Sequence, residues 1–217
     1  MKVLCWIIKV LFGWSMWFVF RTRKRYVDKK ATKLKGGAVI ISNHSTVLDG
    51  MLLVYCFPFN SVWSLTGEVC YDRSPIITFF LKLFMAIRVD RDGHNLAFMA
   101  EAVDKLKKGD SVLIFPQSRL PHPGETTTPP FLPTFILLAK SAGKPIVPVW
   151  HSEHIDHHRT LVSIGKPIYL DDVDTSSFEN VKALAASIQK DLYALADLHQ
   201  DKKQHEAQED KPEGIQP

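Results

Sequence analysis

Residues 37–55, GAVIISNHSTVLDGMLLVY, decide the fold. AVIIS (38–42) is a short apolar, β-branched run of the kind that forms a buried strand. After a polar turn, LDGMLLVY opens an apolar helix read as Gly50 to Phe57. Asn43, Ser45 and Thr46 are turn and N-cap types. A strand, a turn and a helix in quick succession make the start of a β–α unit.

The same stretch sets His44 five positions before Asp49. Five residues of ideal helix turn through about 500°, so on one helix the two side chains would not share a face. They meet only if His44 lies in the turn and Asp49 in the helix's opening. A histidine at the carboxyl end of a strand sits where open α/β sheets place their ligands. A neutral imidazole there takes a proton from a hydroxyl, and a carboxylate on its other nitrogen fixes the tautomer. Taken alone, the pair fits a satisfied structural histidine as well as a catalytic one. Ser45 is read against as a nucleophile: turn neighbours point apart, and no GxSxG pattern surrounds it.

Further strand-like runs are SVWSL (61–65), SVLIF (111–115), PIVPV (145–149) and TLVSI (160–164). Helical patterns alternate with them. Ser74 to Ala86 has Pro75 in a first turn. In His94 to Lys108, Leu96, Met99, Val103 and Leu106 share a face, and Gly109 ends it. Pro133 to Ala142 stops at Gly143, and Phe178 to Leu198 is the longest. Alternating strands and helices predict an α/β fold with a mostly parallel central sheet flanked by helices.

The chain has 217 residues, enough for one full domain. Its net charge of +4 is uneven: residues 1–37 hold ten Lys or Arg against Asp28 alone, a local +9 on a body of −5. A basic end suits an anionic partner. Residues 3–20 are apolar apart from Lys9 and Ser15, and RTRKR follows. Eighteen helical residues reach about 27 Å, barely a bilayer core, and a central lysine in a span costs roughly 2.5–3.5 kcal/mol. Trp6, Trp14 and Trp17 prefer the headgroup boundary. A shallow helix therefore competes with a span. There is no small-x-small cleavage pattern for a signal peptide, and an all-round apolar helix argues against a soluble core element. The basic cluster beside it suits anionic lipid and places the domain on the cytoplasmic face. Nucleic acid is disfavoured, because no stacking aromatics accompany the charge. The division expected is 1–35 as membrane-associating segment, 36–198 as the domain and 199–217 as a disordered polar tail. Three cysteines, Cys5, Cys56 and Cys70, make no even framework and read as buried thiols in a reducing compartment. HSEHIDHH (151–158) matches no zinc signature and reads as a solvated loop. FFLKLF (79–84) is core, or the wall of an apolar groove.

NHSTVLD resembles the NHxxxxD block of the glycerolipid acyltransferases, the 1-acylglycerol-3-phosphate acyltransferase family. AIRVDR (86–91) is similar to that family's block ending in arginine, with Ala86 for its glycine. FPQSR (115–119) resembles FPEGTR, with Gln117 for Glu and Ser118 for Gly. Its last positions are Arg119-Leu120, or Arg119 alone after a one-residue deletion. KPIVPVW (144–150) and GKPI (165–168) complete the series. The resemblance implies transfer of a fatty acyl group from an acyl-carrier-protein or coenzyme A thioester to a lysophospholipid hydroxyl, without an acyl-enzyme, metal or cofactor. His44 would be the base and Asp49 its orienter. Arg91, Gln117, Ser118 and Arg119 would hold the acceptor's phosphate, although Arg91 equally suits a surface ion pair with Asp90 or Asp92. The altered third block leaves open an ornithine-, glycine- or sugar-linked lysolipid acceptor, and a non-catalytic lipid-binding scaffold is the reading from another class.

Overall fold

The computed structural model describes residues 20–28, 34–71, 74–83, 85–90, 97–122, 124–125, 127–152, 159–171 and 173–199. The expected N-terminal helix, apart from Phe20, and the expected tail beyond His199 lie outside these. No helix among the described residues is long and apolar enough to cross a membrane.

Among the described residues, seven strands form one sheet in the order β1-β7-β6-β2-β5-β3-β4. They are β1 Arg23–Tyr26, β2 Val39–Ser42, β3 Val62–Gly67, β4 Ala86–Val89, β5 Ser111–Ile114, β6 Ile146–His151 and β7 Leu161–Ile164. Every pairing is parallel except β6 with β7. The helices are α1 Asp49–Cys56, α2 Pro75–Leu83, α3 Ala97–Lys107, α4 Thr134–Ala142 and α5 Phe178–Ala194, the last followed by a 3₁₀ turn, Leu195–His199. The α/β fold and the mostly parallel sheet follow the sequence pattern.

Alternation along the strands sorts the core into two layers. Val39 and Ile41 face one cluster with Ile114, Leu106, Phe135 and Ile188, under α3, α4 and α5. Ile40 faces the other, with Leu52, Leu53, Leu113, Val147 and Val149, under α1. Both faces of the central strands are therefore covered, as parallel strands require. Gly37 brings the chain into β2 at φ +83°, and a Cβ there would stand 2.2 Å from the Asp110 carbonyl oxygen. Only glycine fits that approach. Gly143, at φ +60°, closes α4 by donating to the Ala139 and Lys140 carbonyls.

Two strands are not legible in the sequence. The start of β4 lies within the helix expected to run to Ala86. That helix instead ends at Leu83, and Met85 turns the chain at φ +60°. β1 comes from the basic RTRKR cluster. It is one of the sheet's two edge strands and, among the described residues, pairs with β7 alone; at an edge a charged strand also resists pairing with another chain. Two of its cations serve helix ends. Lys24 Nζ donates to the Cys56 carbonyl at 3.1 Å, at the C-terminus of α1, and Arg25 donates to the Leu198 carbonyl. Both are positions where cations offset orphan carbonyls. Cys56 is buried, which pushes its thiol up to about 11, whereas Cys70 is only half-buried.

Candidate active site

The strands β6, β2 and β5 lie side by side and parallel. Their carboxyl ends deliver His151, then Asn43 and His44, then Phe115 and Gln117 to one place. That edge is where parallel sheets gather ligands.

His44 lies in the turn and Asp49 is the first residue of α1. His44 Nδ1 is 3.0 Å from Asp49 Oδ2. The turn is wound around this carboxylate: Oδ2 also accepts the Ser45 and Thr46 backbone N–H groups at 2.6 and 2.8 Å, and Oδ1 accepts the Thr46 hydroxyl at 2.7 Å. The polar residues expected as N-caps act differently. Leu48 occupies the N-cap without a side-chain bond, and Asp49 itself satisfies the loop's donors.

Asp49 is 1 % exposed. Burial alone would raise its pKa, but the hydrogen bond from His44, the electrostatic pull of His151 and the bonds from Thr46 bring it down to about 2. The carboxylate is thus ionised at neutral pH. It holds the His44 hydrogen on Nδ1, leaving Nε2 as the acceptor. Phe115 stacks on the imidazole at 4.1 Å between centroids and 16° between planes, which fixes the ring. His44 remains 18 % exposed, so its ring can be reached from solvent. Ser45 Oγ has no hydrogen-bond partner, in keeping with its rejection as a nucleophile.

The third block divides. Gln117 is buried, and its Oε1 accepts the His44 backbone N–H at 2.6 Å. It braces the His44 turn from the end of β5. Ser118 adopts φ +59°, a left-handed conformation disfavoured for any residue with a Cβ. That accounts for the glycine at this place in the block it resembles. Arg119 forms a two-pronged pair with Glu125, both contacts 2.7 Å. The hydrogen bond from Arg119, reinforced by the His122 N–H, holds the Glu125 carboxyl down at about 2. The Arg119 fork is therefore engaged within its own loop. Arg91 lies outside the described residues.

Sequence reasoning missed two contributors. Asn43 Nδ2 donates to the His151 carbonyl and its Oδ1 accepts the His151 N–H, both at 2.9 Å. His151, read as the start of a solvated loop, is the last residue of β6 and is 1 % exposed. The signal was its place at the end of an apolar strand adjoining β2, masked by the charged residues after it. No cluster of three or more potential metal ligands occurs among the described residues.

The chain is similar to known proteins at the level of family and fold. A family model described as Acyltransferase matches residues 21–152. A Caenorhabditis elegans protein, provisionally named as a 1-acyl-sn-glycerol-3-phosphate acyltransferase, is 28% identical over 194 residues, covering 83% of this chain and 69% of its own. The crystal structure of the 1-acyl-sn-glycerophosphate acyltransferase PlsC from Thermotoga maritima superposes with a TM-score of 0.63 at 16% identity, over 88% of this chain and 79% of that one.

Proposed function

Since this chain belongs to the acyltransferase family, we propose that it carries a fatty acyl group from an acyl-carrier-protein or coenzyme A thioester to the free hydroxyl of a lysophospholipid, converting 1-acylglycerol-3-phosphate to phosphatidic acid. The observation that carries this reading is the 3.0 Å His44–Asp49 pair at the carboxyl ends of the central strands, with Nε2 left open.

His44 Nε2 takes the acceptor's hydroxyl proton as its oxygen bonds to the thioester carbonyl carbon. Asp49 stabilises the imidazolium that forms. The carbon–sulfur bond then breaks, and the proton passes from Nε2 to the departing thiolate. The protein supplies no nucleophile of its own. Val47 and Leu48, exposed beside His44, give the site an apolar rim suited to a lipid acceptor. Together with the apolar, basic N-terminus they support a location on the cytoplasmic face of a membrane.

A second reading concerns the acceptor. Arg119 is one of the two cations, with Arg91, expected to hold its phosphate, yet its fork is filled by Glu125. That favours an acceptor with another head group: ornithine-, glycine- or sugar-linked. The deciding experiment offers the purified protein a panel of lysolipids with a labelled acyl thioester, read by mass spectrometry. Transfer confined to 1-acylglycerol-3-phosphate removes the second reading. Transfer only to a phosphate-free lysolipid removes the first, and lipid binding with no transfer to any acceptor removes both.

A further inference from the structure

His151 takes no part in the proton transfer, yet both of its ring nitrogens are engaged beside it. Its Nε2 is 2.9 Å from the Asn43 carbonyl oxygen and 3.6 Å from Asp49 Oδ2, and its Nδ1 is 3.1 Å from the Ser152 carbonyl oxygen. Its backbone is clasped by both ends of the Asn43 amide. Asn43 immediately precedes His44, so three hydrogen bonds tie the end of β6 to the root of the catalytic turn. Asp49 stands between two imidazoles, one half-open to solvent and one buried.

We infer that His151 is a positioning residue for the acyl-transfer reaction: its Nε2–H, held between the Asn43 carbonyl and the Asp49 carboxylate, fixes both the backbone that carries His44 and the carboxylate that orients it. The inference rests on His44 being the base. A buried carboxylate without the attraction of a second imidazole on this flank is freer to shift, and a displacement of about 1 Å at a catalytic group costs roughly 100-fold in rate. The Asn43 carbonyl oxygen only accepts, so its contact requires a hydrogen on Nε2, whichever state the Ser152 carbonyl imposes on Nδ1.

Two amide variants of equal charge and different reach test this. In His151→Gln the amide nitrogen extends to where Nε2 was. In His151→Asn it stops at the Nδ1 position and cannot reach Asn43. With the acceptor that the wild-type chain uses best, His151→Asn is expected to lower kcat roughly 10- to 100-fold with KM for both substrates within about twofold, and His151→Gln to stay within about threefold. Equal losses in the two variants overturn the inference. So does a His151→Asn protein that melts earlier but keeps its kcat below the melt, which would make the residue structural only. A third readout needs no variant: the ring-¹⁵N spectrum of the wild-type chain should show hydrogen on His151 Nε2, and hydrogen on Nδ1 alone would overturn the inference. His44→Ala separates the two levels. If that variant retains activity, the base reading fails; if it is dead while His151→Asn is fully active, only the role of His151 fails.

Discussion

Replacing Asp49 with Asn changes one atom and removes one charge, and the bonds to that carboxylate set the consequences. Oδ2 accepts three hydrogen bonds, from His44 Nδ1, Ser45 N and Thr46 N. An amide NH₂ in that place meets three donors and accepts from none. With the NH₂ turned the other way it meets the Thr46 hydroxyl and leaves Oδ1 of the new side chain to serve donors that an anion had held. In the first pose the His44 hydrogen is no longer held on Nδ1, and in the second a neutral oxygen holds it more weakly than the carboxylate did. The wrong-tautomer penalty seen when a triad carboxylate becomes an amide is about 10⁴ in kcat. Without a protein nucleophile to align, a loss of roughly 10²–10⁴ is expected here. Stability moves too. Asp49 falls from its ordinary 3.8 to about 2, a difference equivalent to about 2 kcal/mol. The folded value is the depressed one, so this contribution is fully present above pH 4 and is lost as pH falls from there through 2. The wild-type chain should therefore lose about 2 kcal/mol more than Asp49→Asn over that window. Acyl transfer followed by thiol release, with urea unfolding at pH 5 and pH 2.5, measures both quantities. Transfer by Asp49→Asn within tenfold of wild type would refute the orienting role. An acid dependence the same in both proteins would refute the account of the carboxylate's environment.

Ser118→Gly relieves the left-handed backbone, which costs a Cβ-bearing residue about 1–2 kcal/mol, against about 0.5–1 kcal/mol of lost flexibility. A net gain of about 0.5–1 kcal/mol in urea unfolding is expected, and a loss would show that the Ser118 side chain is needed. Gln117→Leu strands the His44 N–H, at about 1–3 kcal/mol of stability, and lowers kcat; an unchanged kcat would remove its bracing role. Glu125→Gln loosens the Arg119 fork. If Arg119 serves the acceptor's phosphate, KM for 1-acylglycerol-3-phosphate drops about two- to fivefold, whereas an unchanged KM places Arg119 outside acceptor binding.

The β2–α1 unit is legible because each of its parts carries its own local signal. AVIIS has the length and β-branching of a buried strand, the turn residues come next, and the spacing of His44 and Asp49 has one geometric solution, which the 3.0 Å contact realises. β1 is illegible because its residues, RKRY, are chosen for an edge and for two distant helix ends, so they carry no strand pattern. β4 is hidden because Met85 breaks an apolar run without glycine or proline. Gln117 and His151 show a different limit. Their partners lie 73 and 108 residues away in sequence, and only the order β6-β2-β5 brings them together. An exchange of Glu for Gln reads as a change in substrate contact, whereas the side chain turns toward the His44 backbone.

In the proposed reaction His44 removes the proton from the acceptor hydroxyl. Acyl transfer by His44→Ala, measured against wild type at saturating thioester and lysolipid with folding checked by circular dichroism, tests it most directly. Loss of a general base typically costs at least about 10²-fold, so transfer below about a hundredth of wild type in a folded protein is the predicted result. Transfer above about a tenth would contradict it.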